Sequence, residues 1–174
     1  MTDLLTPAPP PDAIGRMAVI PGLSITPSIL VAQEGPAGEL GPEGAGAILL
    51  LQATFSSPER QEGFWAAAVP LMELLADAPG MIRRYSFPDG PMINLIALWR
   101  SLEDAKAFAA SVEHRAAVAG LAREHWQYSH FSALWEMSAN HGRVVFCDCG
   151  AVTRMPARTC PACGSELLDP YRAG

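Results

Sequence analysis

The stretch MIRRYSFPDGPMINLIALW, residues 81–99, decides the fold of this chain, because it predicts two β-strands joined by a short turn. Both halves are rich in apolar and β-branched residues, and Asp89-Gly90 between them is a hairpin signal. A continuous apolar run, AILLLQATF at 47–55, precedes this hairpin and predicts a strand that is covered on both faces. The segment YSHFSALWEM at 128–137 predicts a last strand.

Helical segments separate these strands. Ser57-Pro58-Glu59 is a typical helix start, with a hydroxyl N-cap, a proline at the first helical position and an acid near the positive end of the dipole. Apolar residues then recur at helical spacing, and Pro70 within them predicts a kink. Ser101 caps a second helical segment, and a third is predicted over 112–126. The order β-α-β-β-α-(α)-β is the ferredoxin-like α+β pattern.

The composition predicts one main domain and excludes several classes of protein. The chain has 174 residues, of which 49% are hydrophobic, so it can bury a core. A net charge of −6 and the absence of a Lys/Arg-rich run argue against a nucleic-acid partner. No apolar run approaches about 18 residues, so no membrane-spanning helix is predicted. The acidic, proline-rich start does not match a secretory signal, and we expect a cytoplasmic protein.

Proline, glycine and cysteine divide the chain into three predicted parts. Residues 1–46 are rich in Pro and Gly and predict an N-terminal arm or linker, in which 1–15 and 34–46 are expected to be flexible or extended linker. The short runs RMAVI and SILVA within this part predict an edge hairpin or an arm along a partner subunit, with an irregular tail as the alternative. Residues 47–140 contain the ferredoxin-like pattern, and residues 141–174 contain all four cysteines.

The cysteines form two close pairs, Cys147-Asp-Cys149-Gly and Cys160-Pro-Ala-Cys163-Gly. Four thiolates in this pattern can surround Zn²⁺ tetrahedrally, and the glycine after each pair lets backbone amides turn toward the sulfurs. The segment is similar to a zinc ribbon or a rubredoxin-like pair of knuckles, and we predict structural zinc, with iron as a minor alternative. A reducing compartment disfavours disulfides. A closed four-thiolate site has no open position, so no catalysis is expected there.

Strand alternation separates two faces of the predicted sheet. One face is uniformly apolar and is expected to pack on the helices. The other is apolar with scattered polar residues, and we expect it to hold Gln52, Asn94, His130, Ser132 and Glu136. This mixture predicts a largely apolar cavity with a few polar anchors, closed by a second subunit.

Residues 78–117, APGMIRRYSFPDGPMINLIALWRSLEDAKAFAASVEHRAA, resemble the antibiotic biosynthesis monooxygenase family of dimeric α+β barrels. The shared features are Pro79-Gly80 before the second strand, Trp99 ending the third, the helix start at Ser101, and the Ser-x-x-His step from Ser111 to His114. The resemblance implies a homodimer and an oxygenase-like, cofactor-independent activity on a small, apolar, aromatic molecule. Family members also include isomerases and proteins without known activity, so the fold does not define the reaction.

Candidate roles follow from the expected pocket. His130 is predicted to accept a proton, and Asn94 to hold an oxyanion, as the catalytic pair. Gln52, Tyr85 and Arg83 are predicted to bind the substrate. The alternative function is a non-catalytic ligand-binding or assembly module whose zinc ribbon docks on a partner protein.

The haem-degrading branch of the family is a minor alternative, with haem as the cofactor. Its signature combines a strand-one asparagine, a tryptophan, and a histidine inside the following helix. Gln52 and Trp99 lie near the first two positions. The histidine position falls near Val118, whereas His114 lies one turn earlier, so the match is incomplete.

Overall fold

The computed structural model describes residues 31–89, 91–155 and 157–167. Residues 1–15 and the run RMAVI, residues 16–20, lie outside the described residues, so the predictions made for them stay predictions. Within the described ranges, none of the helices has both the length and the apolar character needed to cross a bilayer.

A five-stranded antiparallel sheet forms the centre of the molecule. Its strands are β1 (Val31–Glu34), β2 (Ala47–Thr54), β3 (Met81–Asp89), β4 (Met92–Trp99) and β5 (Ser129–Glu136). Their spatial order is β1-β3-β4-β2-β5. Apart from the edge strand β1, this is the sheet order of a ferredoxin-like fold, in which the first and third strands are central. The predicted hairpin is confirmed, since β3 and β4 pair down to Asp89 opposite Met92.

Three helices cover one face of the sheet: α1 (Pro58–Ala76), α2 (Leu102–Ala110) and α3 (Val112–Arg123). Each begins at a serine whose hydroxyl accepts a hydrogen bond from the backbone N–H three residues later, namely Ser57, Ser101 and Ser111. Helix α1 continues past Pro70. The predicted α+β ferredoxin-like fold is therefore confirmed by the element order and by the sheet order.

The core lies between the sheet and these helices. The fully buried Trp99 of β4 belongs to one cluster with Leu75 of α1, and its ring centre lies 5.4 Å from that of Phe108 in α2. A second cluster forms around Phe55 and Phe64, whose rings are 5.1 Å apart. Burying each such side chain contributes about 1.5–3 kcal/mol, so these contacts hold the helices on the sheet.

Residues 34–46 fold against the edge of the sheet, and the expectation of a linker there is wrong. They contain two short 3₁₀ turns, Gly38–Leu40 and Pro42–Gly44. Ala37 and Ala45 are buried against Ile82, and the Ala37 N–H donates to the Met81 carbonyl at 2.9 Å. The small side chains let this segment approach the sheet closely. The division of the chain at residue 46 itself stays a prediction.

A separate two-stranded hairpin follows the sheet, made of β6 (Val144–Phe146) and β7 (Val152–Arg154). Its base is tied to the second 3₁₀ turn. Arg143 Nε donates to Glu43 Oε1 at 2.8 Å, and the Asn140 side-chain amide donates to the Pro42 and Glu43 carbonyls at 3.0 Å. The hairpin is therefore anchored beside the sheet edge.

A close contact between α1 and the segment after α3 generates a stability prediction. A Cβ on Gly63 would lie 2.4 Å from the ring of Trp126, which packs on the Phe55 cluster. We expect Gly63→Ala to lower the free energy of unfolding by about 1–3 kcal/mol through overpacking. The control is Gly120→Ala in α3, where only Arg123 Nη2 approaches, at 3.9 Å. This control should be neutral or raise stability by up to about 1 kcal/mol. Urea unfolding compares the two variants, and equal effects would contradict the packing described.

Candidate functional site

A cavity of about 730 Å³ lies between the helix-covered face of the sheet and the three helices. Its wall is largely apolar and aromatic, with contributions from Leu49, Leu51, Phe64, Trp65, Ile93, Leu95, Phe108 and Leu121. His114, Gln127, His130 and Ser132 bring polar atoms to the same wall. A cavity of this volume, with a few polar groups in an apolar wall, is typical of a small-molecule site.

The pairing register of β5 brings His130 and Ser132 to this cavity. His130 lies opposite Ala53 of β2, and Ser132 lies opposite Leu51. Residues directly opposite each other in an antiparallel pair share a face of the sheet. Because Ala53 and Leu51 belong to the helix-facing core, both polar side chains of β5 also face the helices.

The expected pocket that joins His130 with Asn94 is wrong, because these residues lie on opposite faces of the sheet. Asn94 of β4 lies opposite Gln52 of β2, and the Gln52 side-chain amide donates to Asn94 Oδ1 at 2.7 Å. We call this other side the outer face; it also carries Ile48, Leu50, Ile96, Leu98, Phe131 and Trp135. Alternation within a strand defines two faces but not which of them matches a neighbouring strand. The prediction that Ser132 and Glu136 share a face with Asn94 is wrong for the same reason.

Arg83 and Tyr85 also belong to the outer face, where they lie opposite Leu98 and Ile96. The Arg83 guanidinium carbon is 5.7 Å from the centre of the Tyr85 ring, a cation–π distance. Among the cavity-lining residues of the described ranges, neither is present. The predicted substrate-binding role of these two residues and Gln52 stays a prediction, and it would require a ligand on the outer face.

Both cavity histidines are hydrogen-bonded through Nδ1. His114 Nδ1 lies 3.1 Å from the Ala109 carbonyl oxygen. A carbonyl only accepts, so in the neutral ring Nδ1 carries the proton and Nε2 carries the lone pair. His130 Nδ1 lies 3.2 Å from Gln127 Oε1, with the same consequence. Each ring can therefore accept a proton at Nε2. The sequence signal for His114 was its Ser-x-x-His step, whereas Gln127 had none.

Trp99 is a buried residue of the cavity wall. Its side chain is fully buried and lines the cavity. Within the part of the chain that the structure describes, its indole N–H has no hydrogen-bond partner. Buried indole N–H groups usually have one, so an oxygen of a bound molecule is a suitable partner for this group.

The four cysteine sulfurs form a second candidate site, all within 4.8 Å of one another. Cys147 and Cys163 are 3.6 Å apart, and Cys149 and Cys160 are 3.7 Å apart. A disulfide bond is about 2.05 Å long, so neither pair is one. Zn–S bonds of about 2.3 Å give a tetrahedron with edges of about 3.8 Å, so the sulfur positions fit one metal ion held by four thiolates.

The backbone of both cysteine pairs supports this arrangement. Gly150 and Gly164 follow the pairs in the left-handed region, with φ of +86° and +76°. The N–H of each glycine donates to the carbonyl of the first cysteine of its pair at 2.8 Å. Hydrogen bonds from the side chain and the backbone of Ser165 lower the pKa of Cys163 to about 6, whereas the pKa of Cys147 beside the other thiols is raised to about 12. At Cys163 the lowered pKa favours the thiolate, which is the form that binds metal.

Comparisons with known proteins find similarity in structure only. No family model matches the chain. No curated protein matches it either. SnoaB, a cofactor-independent oxygenase from Streptomyces nogalater, superposes with a TM-score of 0.45 and 14% identity, over 57% of this chain and 99% of SnoaB. A protein from Deinococcus radiodurans assigned as an antibiotic biosynthesis monooxygenase gives a TM-score of 0.49 and 12% identity, over 56% and 97%. A protein from Lactobacillus acidophilus assigned as a monooxygenase gives a TM-score of 0.46 and 11% identity. The superposition covers 62% of this chain and 48% of that protein.

Proposed function

We propose that this chain is an oxygenase-like enzyme that converts a small, largely apolar, aromatic substrate in the cavity between the sheet and the helices. The single observation that carries the proposal is the presence of two histidines, His114 and His130, in the wall of a largely apolar cavity. A sealed apolar core would instead favour a purely structural role. The indole N–H of Trp99 supports the proposal further, because it is a donor in the same wall.

The proposed reaction replaces an acidic methylene group by a carbonyl group. His130 Nε2 accepts a proton from a methylene group that an aryl ketone acidifies, and Trp99 donates to the enolate oxygen that forms. The carbanion gives its electron pair to O₂, a C–O bond forms, and the imidazolium returns its proton to the peroxide. Loss of water then leaves the carbonyl. The methylene carbon is oxidised, O₂ is reduced and water is the second product, so no further reductant is needed.

Oxygen uptake with anthrone-type substrates tests this assignment. We expect His130→Ala to lower kcat by about 10²–10⁴-fold, the range for loss of a general base, and His114→Ala to lower it if this second ring shares the proton transfer. His141→Ala, at an exposed histidine outside the cavity wall, is the control and should keep wild-type uptake. Wild-type rates in the His130→Ala and His114→Ala variants together would refute the site. Ligand binding by the wild-type protein without oxygen uptake would favour the non-catalytic binding module instead.

We further propose a homodimer that forms through the outer face. Phe131 and Trp135 of β5 are 51% and 48% exposed, and they border the half-buried Leu50 and Ile48 of β2. Monomers seldom expose a contiguous apolar surface of more than a few hundred Å². The hydrogen bond from the Gln52 side-chain amide to Asn94 Oδ1 suits such a contact, because it already pairs one donor and one acceptor of this face.

Light scattering measures this assembly. The wild-type protein should have twice the 18.5 kDa mass of one chain at micromolar concentration. Trp135→Arg should shift it to one chain mass, because a charge buried in an apolar contact is costly. The matched control is Val69→Arg at a half-exposed position of α1, which should leave the dimer intact. A wild-type mass of one chain would exclude the dimer.

We propose that structural zinc folds residues 141–174. The hairpin side chains Val144, Phe146 and Val152 are exposed, so they contribute little core. Segments below about 40 residues usually need a metal or disulfides to fold. Bound zinc supplies on the order of 10 kcal/mol or more in comparable peptides, and the four thiolates would be its complete ligand set. Such a site holds the segment together and leaves no position for a substrate.

Removal of one thiolate tests the zinc proposal. The wild-type protein should contain one zinc per chain, and Cys160→Ser should lose it because three protein ligands hold the ion much more weakly. Protease cleavage of that variant should then be confined to residues 141–174, since the sheet domain has its own core. Arg158→Gln, at an exposed position between the two cysteine pairs, should retain the metal. A wild-type protein without metal and with a protease-resistant C-terminal segment would contradict the proposal.

A further inference from the structure

Arg84 of β3 is a buried cation on the same side of the sheet as the cavity. It lies opposite Ala97, a residue of the helix-facing core, and only 6% of it is exposed. Within the described ranges, its Nε has no hydrogen-bond partner, and its Nη1 contacts the sulfur of Met72. A thioether sulfur is a weak acceptor and carries no charge. Nε is therefore buried without an acceptor and Nη1 contacts only a weak one, and the burial of the group lowers the pKa of Arg84.

Two further buried polar atoms lie on this side of β1 and β3. Ser86 is 3% exposed and lies opposite Leu95, and Gln33 lies opposite Arg84. In the part of the chain that the structure describes, Ser86 Oγ and Gln33 Oε1 have no hydrogen-bond partner either. We call Gln33, Arg84 and Ser86 the Arg84 cluster. A guanidinium beside a hydroxyl is a donor set that complements a carboxylate.

Met72 connects the Arg84 cluster with the cavity. The Met72 side chain lines the cavity, while its sulfur contacts the Arg84 guanidinium. Arg84 itself is not part of the cavity wall, so the methionine lies between the cation and the cavity. Methionine has three rotatable bonds and adapts readily to a new neighbour. Met72 is therefore the side chain that both the guanidinium and the cavity contact.

We propose that the cavity binds an aromatic carboxylate, whose acid group pairs with Arg84 and Ser86 once Met72 has moved aside. This inference rests on the proposed function of the cavity and adds the class of substrate. The aromatic part would contact the apolar wall, and the carboxylate would lie at the β3 end. The cation is already dehydrated in the unliganded protein, so pairing recovers interaction without a second large cost of desolvating the arginine.

Binding of two matched compounds to the full-length protein tests the inference. The probes are 2-naphthoate and its neutral counterpart 2-naphthamide, measured by titration calorimetry. The wild-type protein should bind the carboxylate at least tenfold more tightly. Arg84→Met should lose this preference while it keeps its affinity for the amide. Arg115→Met, at an exposed arginine of α3, removes the same charge elsewhere and should retain the preference.

Two further measurements separate loss of folding from loss of recognition. Arg84→Met removes a buried charge without a counter-ion, so its unliganded form should melt at a temperature at least as high as the wild type. Arg84→Lys keeps the positive charge but loses the planar guanidinium group with its paired N–H donors. This variant should show a reduced preference for the carboxylate. Equal wild-type affinities for the two probes, or a preference that survives in Arg84→Met, would overturn the inference and leave the proposed function standing. Failure of both probes to bind the wild-type protein would overturn the inference and the proposed function together.

Discussion

The pairing of β2 with both neighbours is the constraint on which the rest of the molecule depends. All eight residues of β2 pair with β4 on one side and with β5 on the other. Since side chains alternate along a strand, this double register decides which residues of three strands face the helices. A slip of one residue in β5 would remove His130 and Ser132 from the cavity and bring Phe131 to it. The position of His130 in the cavity wall is thus a property of backbone pairing.

Each face of the sheet carries its own set of polar groups. On the outer face, the Gln52 side-chain amide donates to Asn94 Oδ1, and Arg83 lies beside the Tyr85 ring. On the helix-facing side, the Trp99 indole N–H and Arg84 Nε are buried without hydrogen-bond partners among the described residues. Unpaired buried donors favour a molecule that brings acceptors, which supports the proposed recognition of a small molecule on the helix side.

The sequence predicts the fold well, because its signals are local. Asp89-Gly90 indicated the hairpin, and Ser57, Ser101 and Ser111 each begin a helix as expected. Which side chains of β5 face the helices could not be predicted, since large apolar residues occur on both sides of this strand. Residues 34–46 were misassigned because proline and glycine indicate a break in regular structure without indicating exposure. The cavity between the sheet and the helices was not predicted. Helical spacing identifies which face of a helix is apolar, but it does not show whether the space beneath that face is filled.

The ion pair between Glu43 and Arg143 has a consequence for the order of folding. Its two residues are 100 positions apart, and both side chains are only about one fifth exposed. The entropy lost on closing a loop grows with its length, so contacts of this separation follow the local hairpin and helix contacts in time. The 3₁₀ turn that carries Glu43 would accordingly be in place on the sheet before Arg143 reaches it. On this route, the cysteine segment attaches after the sheet and helices have folded. A cysteine segment without bound metal would then not slow the folding of the sheet domain.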